Sequence, residues 1–420
     1  MILRRSVVAF ACLSFAACAT PSSGGGTGGS PATGGSPATG GTTSTGGTSG
    51  AGNGVGTGQG FSFPQNKATG SCMLTTVANA AAATMTAYTS WRSAYVVPAS
   101  PGMRVQRPEN GNDTVSEGIG YGMLAAVYVG DQATFDGLWA YAQSKFDAKG
   151  LMTWCIPGSG SSSCTNSGGS ATDGDEDMIF ALLMASDQWS GTDYLTPAKA
   201  MIMSMRTYSL FSDGTLQNGD NFNTADEYNP DYFSPAYFRV FTKATGDAFW
   251  AGLALTANYN HLMALTGSDG LVPDSSNLQN ATVKATTNCS TAPNCCTCIP
   301  SYGYDACRTP WRIAMDWCFN GEQKAKTYLD AVGAFFDGQK VANIGDGYSL
   351  TGSKTSSNQN MAFIGPAGVA GMAGWPNLMN DAFNFGVSNP SNGNNAYFPQ
   401  SLRVLSMLMM SGNFLDYSQM

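Results

Sequence analysis

Beyond residue 70 the apolar residues recur at intervals of three and four rather than two. The pattern runs through "VSEGIGYGMLAAVY" (115–128), "EDMIFALLMASDQW" (176–189), "SPAYFRVF" (234–241) and "DAFWAGLALTANYNHLMAL" (247–265). It continues in "PWRIAMDWC" (310–318), "AKTYLDAVGAFF" (325–336) and "YFPQSLRVLSMLMM" (397–410). That period belongs to a helix with a buried face, so these stretches predict helices and few strands. Weaker periodic segments near 72–90, 132–146, 194–209, 358–373 and 376–385 bring the expected total to about twelve helices. Ser234 before Pro235, and Thr309 before Pro310, each put a capping hydroxyl ahead of a proline at the first helical position. Wide apolar faces joined by long polar loops predict helices layered in pairs around one core, a large all-α domain.

The pattern breaks down before residue 61. Arg4 and Arg5 precede the uncharged run "SVVAFACLSFAAC" (6–18), which is too short to span a bilayer and reads as an export signal. Ala16 and Ala17 before Cys18 resemble a bacterial lipobox, in which Cys18 becomes the lipidated N-terminal residue; an ordinary signal peptide with an incidental cysteine is the alternative. Residues 19–60 carry the repeat "GGSPATGGSPATGG" and no charge, a composition that cannot bury enough apolar surface to offset its chain entropy. The expected organisation is a signal over 1–18, a flexible Gly/Ser/Thr/Pro-rich linker over 19–60, and one globular domain over 61–420. The expected setting is outside the cytoplasm, as a monomer that is secreted, periplasmic or held at the cell surface, touching a membrane only through a lipid anchor.

Composition narrows the partners. The 420 residues are 43% hydrophobic and carry a net charge of -8, with Lys and Arg scattered. Phosphate binding needs clustered cations, so a nucleic-acid partner is excluded, whereas a neutral polymer suits this surface. Setting aside Cys12 and Cys18 leaves nine of eleven cysteines. Cys155 and Cys164 bracket "IPGSGSSS" and could close a short disulfide loop. The run "CSTAPNCCTC" (289–298) imitates a metal site but lacks a second CxxC, and the single histidine, His261, is far away, so disulfides are expected rather than zinc. No metal and no cofactor is expected.

Three stretches then carry candidate chemistry. In "ATDGDEDMIFALL" (171–183) four acids, Asp173, Asp175, Glu176 and Asp177, crowd one turn at the start of an apolar helix. Simple capping by carboxylates at a helix N-terminus accounts for such a cluster. An EF-hand does not, because the sixth and twelfth positions are Met178 and Met184. The functional reading is that one carboxylate faces a cleft while the others cap or are solvated. In "TVSEGIGYGM" (114–123), Gly118, Gly120 and Gly122 interrupt a helical pattern at a cost of roughly 1 kcal/mol each. Close approach of another backbone or of a ligand is the compensation to look for, with Glu117 at the edge of that surface. In "YGYDACRTPWR" (302–312), Asp305 has Arg308 and Arg312 nearby. Either an ion pair braces a helix start, or a guanidinium keeps a carboxylate ionised as a base.

Taken together, "VSEGIGYGM", "ATDGDEDMIFALLMASDQW", "NPDYFSPAYFRVF" and "YDACRTPWR", in this order, resemble glycoside hydrolase family 8, the bacterial endoglucanases with their xylanase, lichenase and chitosanase relatives. The likeness covers most of residues 70–410; Phe180 stands where the family has Ala. It implies an (α/α)6 barrel of six inner and six outer helices with a cleft across one end. It implies Glu117 as general acid, Asp305 as general base, and Asp173 as the group that binds sugar hydroxyls and stabilises positive charge at the anomeric carbon. Trp154 matches a sugar-stacking position, and Tyr232, Tyr237, Arg308 and Tyr397 are further substrate-binding candidates. The implied function is an inverting endo-β-1,4-glucanase on cellulose-type β-glucan, working without a cofactor. The alternatives are a xylanase or mixed-linkage β-glucanase of the same fold, or a surface glycan-binding lipoprotein without catalysis.

Overall fold

The computed structural model describes residues 55–159, 164, 168–221, 228–276, 301–388 and 397–420. Twelve α-helices run through these residues: α1 Ala80–Tyr95, α2 Ser116–Val129, α3 Gln132–Gln143, α4 Thr172–Gln188, α5 Leu195–Tyr208 and α6 Pro235–Thr245, then α7 Leu255–Leu265, α8 Thr309–Asn320, α9 Gln323–Gln339, α10 Met361–Gly371, α11 Pro376–Ser388 and α12 Tyr397–Met410. Each falls on one of the periodic stretches. Three two-stranded antiparallel ribbons lie between them, pairing β1 Val96–Pro98 with β2 Met103–Val105, β3 Thr114–Val115 with β4 Cys155–Ile156, and β5 Ser301–Tyr302 with β6 Tyr348–Ser349.

The packing order explains why two kinds of helix sequence occur. The even-numbered helices neighbour one another in a closed ring, α2 to α4, α6, α8, α10, α12 and back to α2, while each odd-numbered helix lies outside against members of that ring. The chain therefore alternates outer and inner helices six times, an (α/α)6 barrel. Four of the inner helices have protein on nearly every side, whereas α6 and α8 leave Lys243 and Asn320 exposed. All of α4 and α10 is buried, as is all of α2 except Glu117 and all of α12 except Phe398. Outer helices such as α3, α5 and α9 bury one stripe and leave the rest wet.

The glycines of α2 serve this ring. A Cβ on Gly120 would lie 2.7 Å from the Asp177 Cβ, and one on Gly174 would lie 2.5 Å from Ser116 Oγ and 2.7 Å from the Glu117 nitrogen. Those two positions let the first turns of α2 and α4 touch backbone to backbone. Gly122 makes room for Leu138 and Trp91 of flanking helices, and Gly118 makes room for the Tyr397 hydroxyl. Close helix packing is the compensation for the three glycines, and its result is that Glu117 and Asp173 start side by side.

Three expectations need correction. Ser234 precedes α6, yet its side chain caps nothing there; its Oγ accepts from Arg312 Nη1 at 2.9 Å. Thr309 is the first residue of α8 rather than its cap, because the 3-10 turn Ala306–Arg308 runs straight into the helix. The linker boundary also moves. Gly56 and Thr57 donate backbone N–H groups to Asp187 Oδ1 at 2.7 and 3.0 Å, and Phe61 stacks on Tyr417 with centroids 4.2 Å apart. Residues 55–60 thus lie on the domain, since the end of α4 offers a carboxylate acceptor that glycine-rich composition does not reveal. Cys18, residues 19–54 and the run at 289–298 fall outside the described residues.

Cys72 is joined to Cys318, tying the segment before α1 to the end of α8 across 246 residues, and Cys155 is joined to Cys164 across 9; Cys307 is a free, buried thiol. Closing the longer loop removes more entropy from the unfolded chain. Replacing Cys72 and Cys318 together by Ala is expected to cost about 2–5 kcal/mol, and more than replacing Cys155 and Cys164. Denaturant midpoints of the two variants, at unchanged slope, measure the difference.

Candidate active site

One guanidinium organises the end of the barrel. Arg308 Nη1 donates to Glu117 Oε2 at 2.6 Å and to Asp173 Oδ2 at 2.8 Å; its Nη2 meets Asp305 Oδ1 at 3.0 Å and Asp231 Oδ2 at 2.5 Å. The side chains are 2% exposed for Arg308, 16% for Glu117, 4% for Asp173, 0% for Asp231 and 18% for Asp305. Solvent therefore reaches this cluster through Glu117 and Asp305. Every member sits at or just before the first turn of an inner helix. Glu117 is in α2, Asp173 in α4, Asp231 in the 3-10 turn Pro230–Tyr232 ahead of α6, and Asp305 and Arg308 lie directly ahead of α8. Tyr397 opens α12 and donates its hydroxyl to Glu117 Oε1 at 3.2 Å. Asn360 caps α10 and donates to the Tyr304 hydroxyl at 3.0 Å, beside Asp305. Six helix N-termini converge there, and their free N–H groups and positive dipole ends favour the concentration of acids.

A single cation cannot neutralise four carboxylates, and the proton affinities reflect that. Burial raises the Glu117 carboxyl above its ordinary range, with Asp173 adding to the rise and Arg308 opposing it. Burial lifts Asp305 to about 7 against Arg308, with Asp274, Asp173 and Glu117 reinforcing the rise. Asp231 is pushed by burial to about 7 as well. The cluster holds protons near neutral pH, while Arg308 stays charged because the acids around it raise its affinity further.

The rest of the acidic run goes inward. Asp177 forms a fully buried two-pronged pair with Arg312, at 2.7 and 2.9 Å. Asp175 and Glu176 are fully enclosed, and burial pushes the proton affinity of both upward, toward the neutral form. One carboxylate of the four, Asp173, reaches the cluster as expected. The other three are buried rather than capping or solvated, because α4 is surrounded by protein.

The aromatic candidates divide. Tyr237 is corrected outright: it is fully buried, stacked on Phe180 with centroids 4.0 Å apart, and its hydroxyl donates to Asp177 at 3.1 Å. It braces the buried ion pair and cannot reach a sugar, and Phe180 supplies the ring it lies on. Tyr397 is also enclosed, packed edge-on against Tyr95, so its hydroxyl rather than its ring face serves the site. Tyr232 lies under Arg308, ring centroid 5.5 Å from the guanidinium carbon. Trp154 is half-exposed beside the Cys155–Cys164 disulfide, and its carbonyl accepts from the Ser116 N–H at 2.8 Å, next to Glu117. Tyr304 and Phe398 are half-exposed neighbours, centroids 6.1 Å apart, on the Asp305 side. Flat rings beside a polar centre are the surface a sugar chain requires.

Sequence reading missed Asp231, Asp274 and the trio of Asp346, Tyr304 and Asn360. Asp231 stood in plain view in "NPDYFSP", before a Ser-Pro helix start. Asp274, in "LVPDSS", carries no local signal, because its partners lie 29 to 32 residues further on. Asp346 accepts from the Tyr304 hydroxyl at 2.7 Å. Asp113, Cys155 and Cys164 bring three donor atoms within 4.8 Å, but the two sulfurs are bonded to each other and offer no thiolate to a metal.

Residues 61–412 match the family described as "Glycosyl hydrolases family 8". Among characterised proteins, "Endoglucanase 2" of Ruminiclostridium josui is 36% identical over 82% of this chain and 74% of its own length. "Beta-glucanase" of Niallia circulans is 34% identical over 78% of this chain and 84% of its own. The "Apo Structure of Beta-1,3-1,4-glucanase from Paenibacillus sp.X4" superposes with a TM-score of 0.75 at 32% identity, covering 84% of this chain and 98% of that one. With the barrel, the ring of acids and a family match over this span in agreement, the chain belongs to family 8 of the glycosyl hydrolases and is a glycoside hydrolase.

Proposed function

We propose that this protein is an endo-β-1,4-glucanase of cellulose-type β-glucan that inverts the anomeric centre, with Glu117 as general acid and Asp305 as general base. The carrying observation is the single guanidinium of Arg308 bound to both carboxyls and to Asp173. Because they bond different nitrogens of one planar fork, their facing oxygens are at most about 8 Å apart. That ceiling is compatible with the roughly 6.5–9.5 Å that leaves room for a water between acid and base in inverting enzymes.

The reaction follows from the charges. Protonated Glu117 gives its proton to the glycosidic oxygen as the bond to the anomeric carbon lengthens. Ionised Asp305 takes a proton from a water that attacks the same carbon from the opposite face, so the product configuration is reversed. Asp173, fixed by Arg308, places a carboxylate beneath the ring, where positive charge develops and hydroxyls need partners. The Tyr397 hydroxyl and the Arg308 guanidinium hold Glu117 from two sides, which orients the acid before substrate arrives. Trp154, Tyr304 and Phe398 supply flat faces for neighbouring sugars.

The relatives named endoglucanase and beta-glucanase support a β-glucan substrate. A mixed-linkage preference is the second reading, favoured by the similar structure titled a 1,3-1,4-glucanase. We propose too that the protein works outside the cytoplasm as a monomer, released by its signal or anchored through Cys18. Two disulfides among the described residues support an oxidising compartment.

Reducing-sugar release from carboxymethylcellulose, lichenan, xylan and chitosan tests the substrate; activity on xylan or chitosan alone would overturn the glucan reading. Glu117→Gln and Asp305→Asn are each expected to lower kcat by about 10²–10⁴-fold with the fold retained, and parental turnover in either variant would remove that residue from its role. Proton NMR of the first-formed sugar should show the α-anomer. The acidic limb of kcat/KM is expected near pH 7, since Asp305 must lose its proton to serve as base. The basic limb marks loss of the Glu117 proton and lies above the ordinary carboxylate range.

A further inference from the structure

We propose that Asp274 is a positioning residue for the base, shaping the backbone turn that carries Asp305 and setting the proton affinity of that carboxyl. The inference rests on the reading of Asp305 as base and deepens it.

The geometry is specific. Asp274 Oδ1 accepts three backbone N–H groups, from Gly303 at 2.8 Å, Asp305 at 3.2 Å and Ala306 at 2.8 Å. The Asp274 N–H in turn donates to the Ser301 carbonyl at 2.8 Å. Its other oxygen, Oδ2, occupies the space over Gly303, where a Cβ would come within 2.2 Å. The turn 303–306 is thus wrapped around one buried carboxylate, which stands where a helix cap would stand for the 3-10 turn leading into α8. A carboxylate accepting three N–H groups is a strong, oriented contact. It holds the backbone on both sides of Asp305, while Arg308 holds the side chain.

Position and charge are linked here. The groups that act on Asp305 are Arg308 from its own turn, Asp274 from the segment after α7, Asp173 from α4, and Glu117 from α2; Asp231, ahead of α6, shares Arg308 Nη2 with it. Arg308 alone is positive. Burial lifts Asp274 itself to about 7, and it is among the groups that raise Asp305. Two acids that sense each other in this range titrate as a pair, so the acidic limb of activity belongs to both.

The test compares kcat and kcat/KM across pH on a soluble β-glucan for the parent, Asp274→Asn, Asp274→Ala and Asp305→Asn. The Asn side chain keeps an acceptor for the three N–H groups and removes the charge. It should retain turnover within about tenfold on the plateau and shift the acidic limb to lower pH by about one unit. The Ala variant leaves three donors without an acceptor, and misplacement of the base should lower kcat by about a hundredfold or more with KM little changed. A limb in Asp274→Asn that coincides with the parent's, or moves to higher pH, overturns the proposal. Should Asp274→Ala fail to fold, Asp274→Asn decides alone. If Asp305→Asn works as well as the parent, the base assignment itself is wrong. An inactive Asp305→Asn beside an unshifted Asp274→Asn removes only the role of Asp274.

Discussion

The site depends on one imbalance of charge: Arg308 is buried among four carboxylates and bonds all of them. Without that cation the acids could not share an enclosed space, since an unpaired buried charge costs several kcal/mol. With it they can, but one positive charge among four acids leaves protons on some of them near neutral pH. The imbalance thus produces what glycoside cleavage needs, a protonated carboxyl beside an ionised one. A second cation bonded within the cluster would lower the carboxyls it touched and weaken that condition. The chain has another buried arginine within four residues, and Arg312 is committed elsewhere, held by Asp177, Ser234 and the packing of Tyr237. The Asp177–Arg312 pair is a second tier of charge whose hydrogen bonds are spent on Asp177 and Ser234; Arg312 reaches the first tier only through space, at Asp231, as Arg107 does at Glu117, and Arg308 is the cation that bonds the cluster.

The barrel makes the cluster affordable in dipoles and in distance. Inner helices alternate with outer ones along the chain, so all six inner N-termini meet at one end, where free N–H groups favour negative charge. Bringing Glu117 and Asp173 within reach of one guanidinium requires α2 and α4 to approach at backbone contact, which Gly120 and Gly174 allow. The small residues of "EGIGYGM" and "DGD" are therefore part of the electrostatics, because they set how near the carboxyls come.

Much of this was legible in the sequence, and the failures have one physical source. The twelve helices were readable because a 3.6-residue period marks the outer helices and α6, α8 and α12, while α2, α4 and α10 read as apolar runs of helical length. Glu117, Asp173 and Asp305 stood out because carboxylates are scarce in such apolar surroundings, but pattern alone left capping, close packing or an ion pair as equal readings, and the resemblance to family 8 singled them out. Depth was not readable. Tyr237 lies on the buried side of α6, and no local feature separates it from a ring in the cleft. Asp175 and Glu176 look solvated by type and are enclosed by tertiary packing. The docking of residues 56 and 57 on the domain was hidden because their acceptor, Asp187, is supplied by a helix 130 residues away from Thr57. Asp274 was invisible for the same reason, its role consisting of contacts to a distant backbone.

The proposed acid and base are referenced to this scaffold by different kinds of contact. On the acid side, β3 runs directly into α2, its partner β4 begins immediately after Trp154, and the Ser116 N–H bonds the Trp154 carbonyl. A sugar on that ring, as proposed, would be registered against Glu117 through two backbone segments paired by N–H and carbonyl groups that do not titrate. On the base side, the turn bearing Asp305 is wrapped around a carboxylate that itself gains and loses a proton near neutrality. Protonation of Asp274 weakens its hold on three N–H groups and lowers the negative potential at Asp305 in the same step. Water activation is therefore the half of the reaction whose geometry and driving force both respond to pH, while the placement of the leaving group stays fixed.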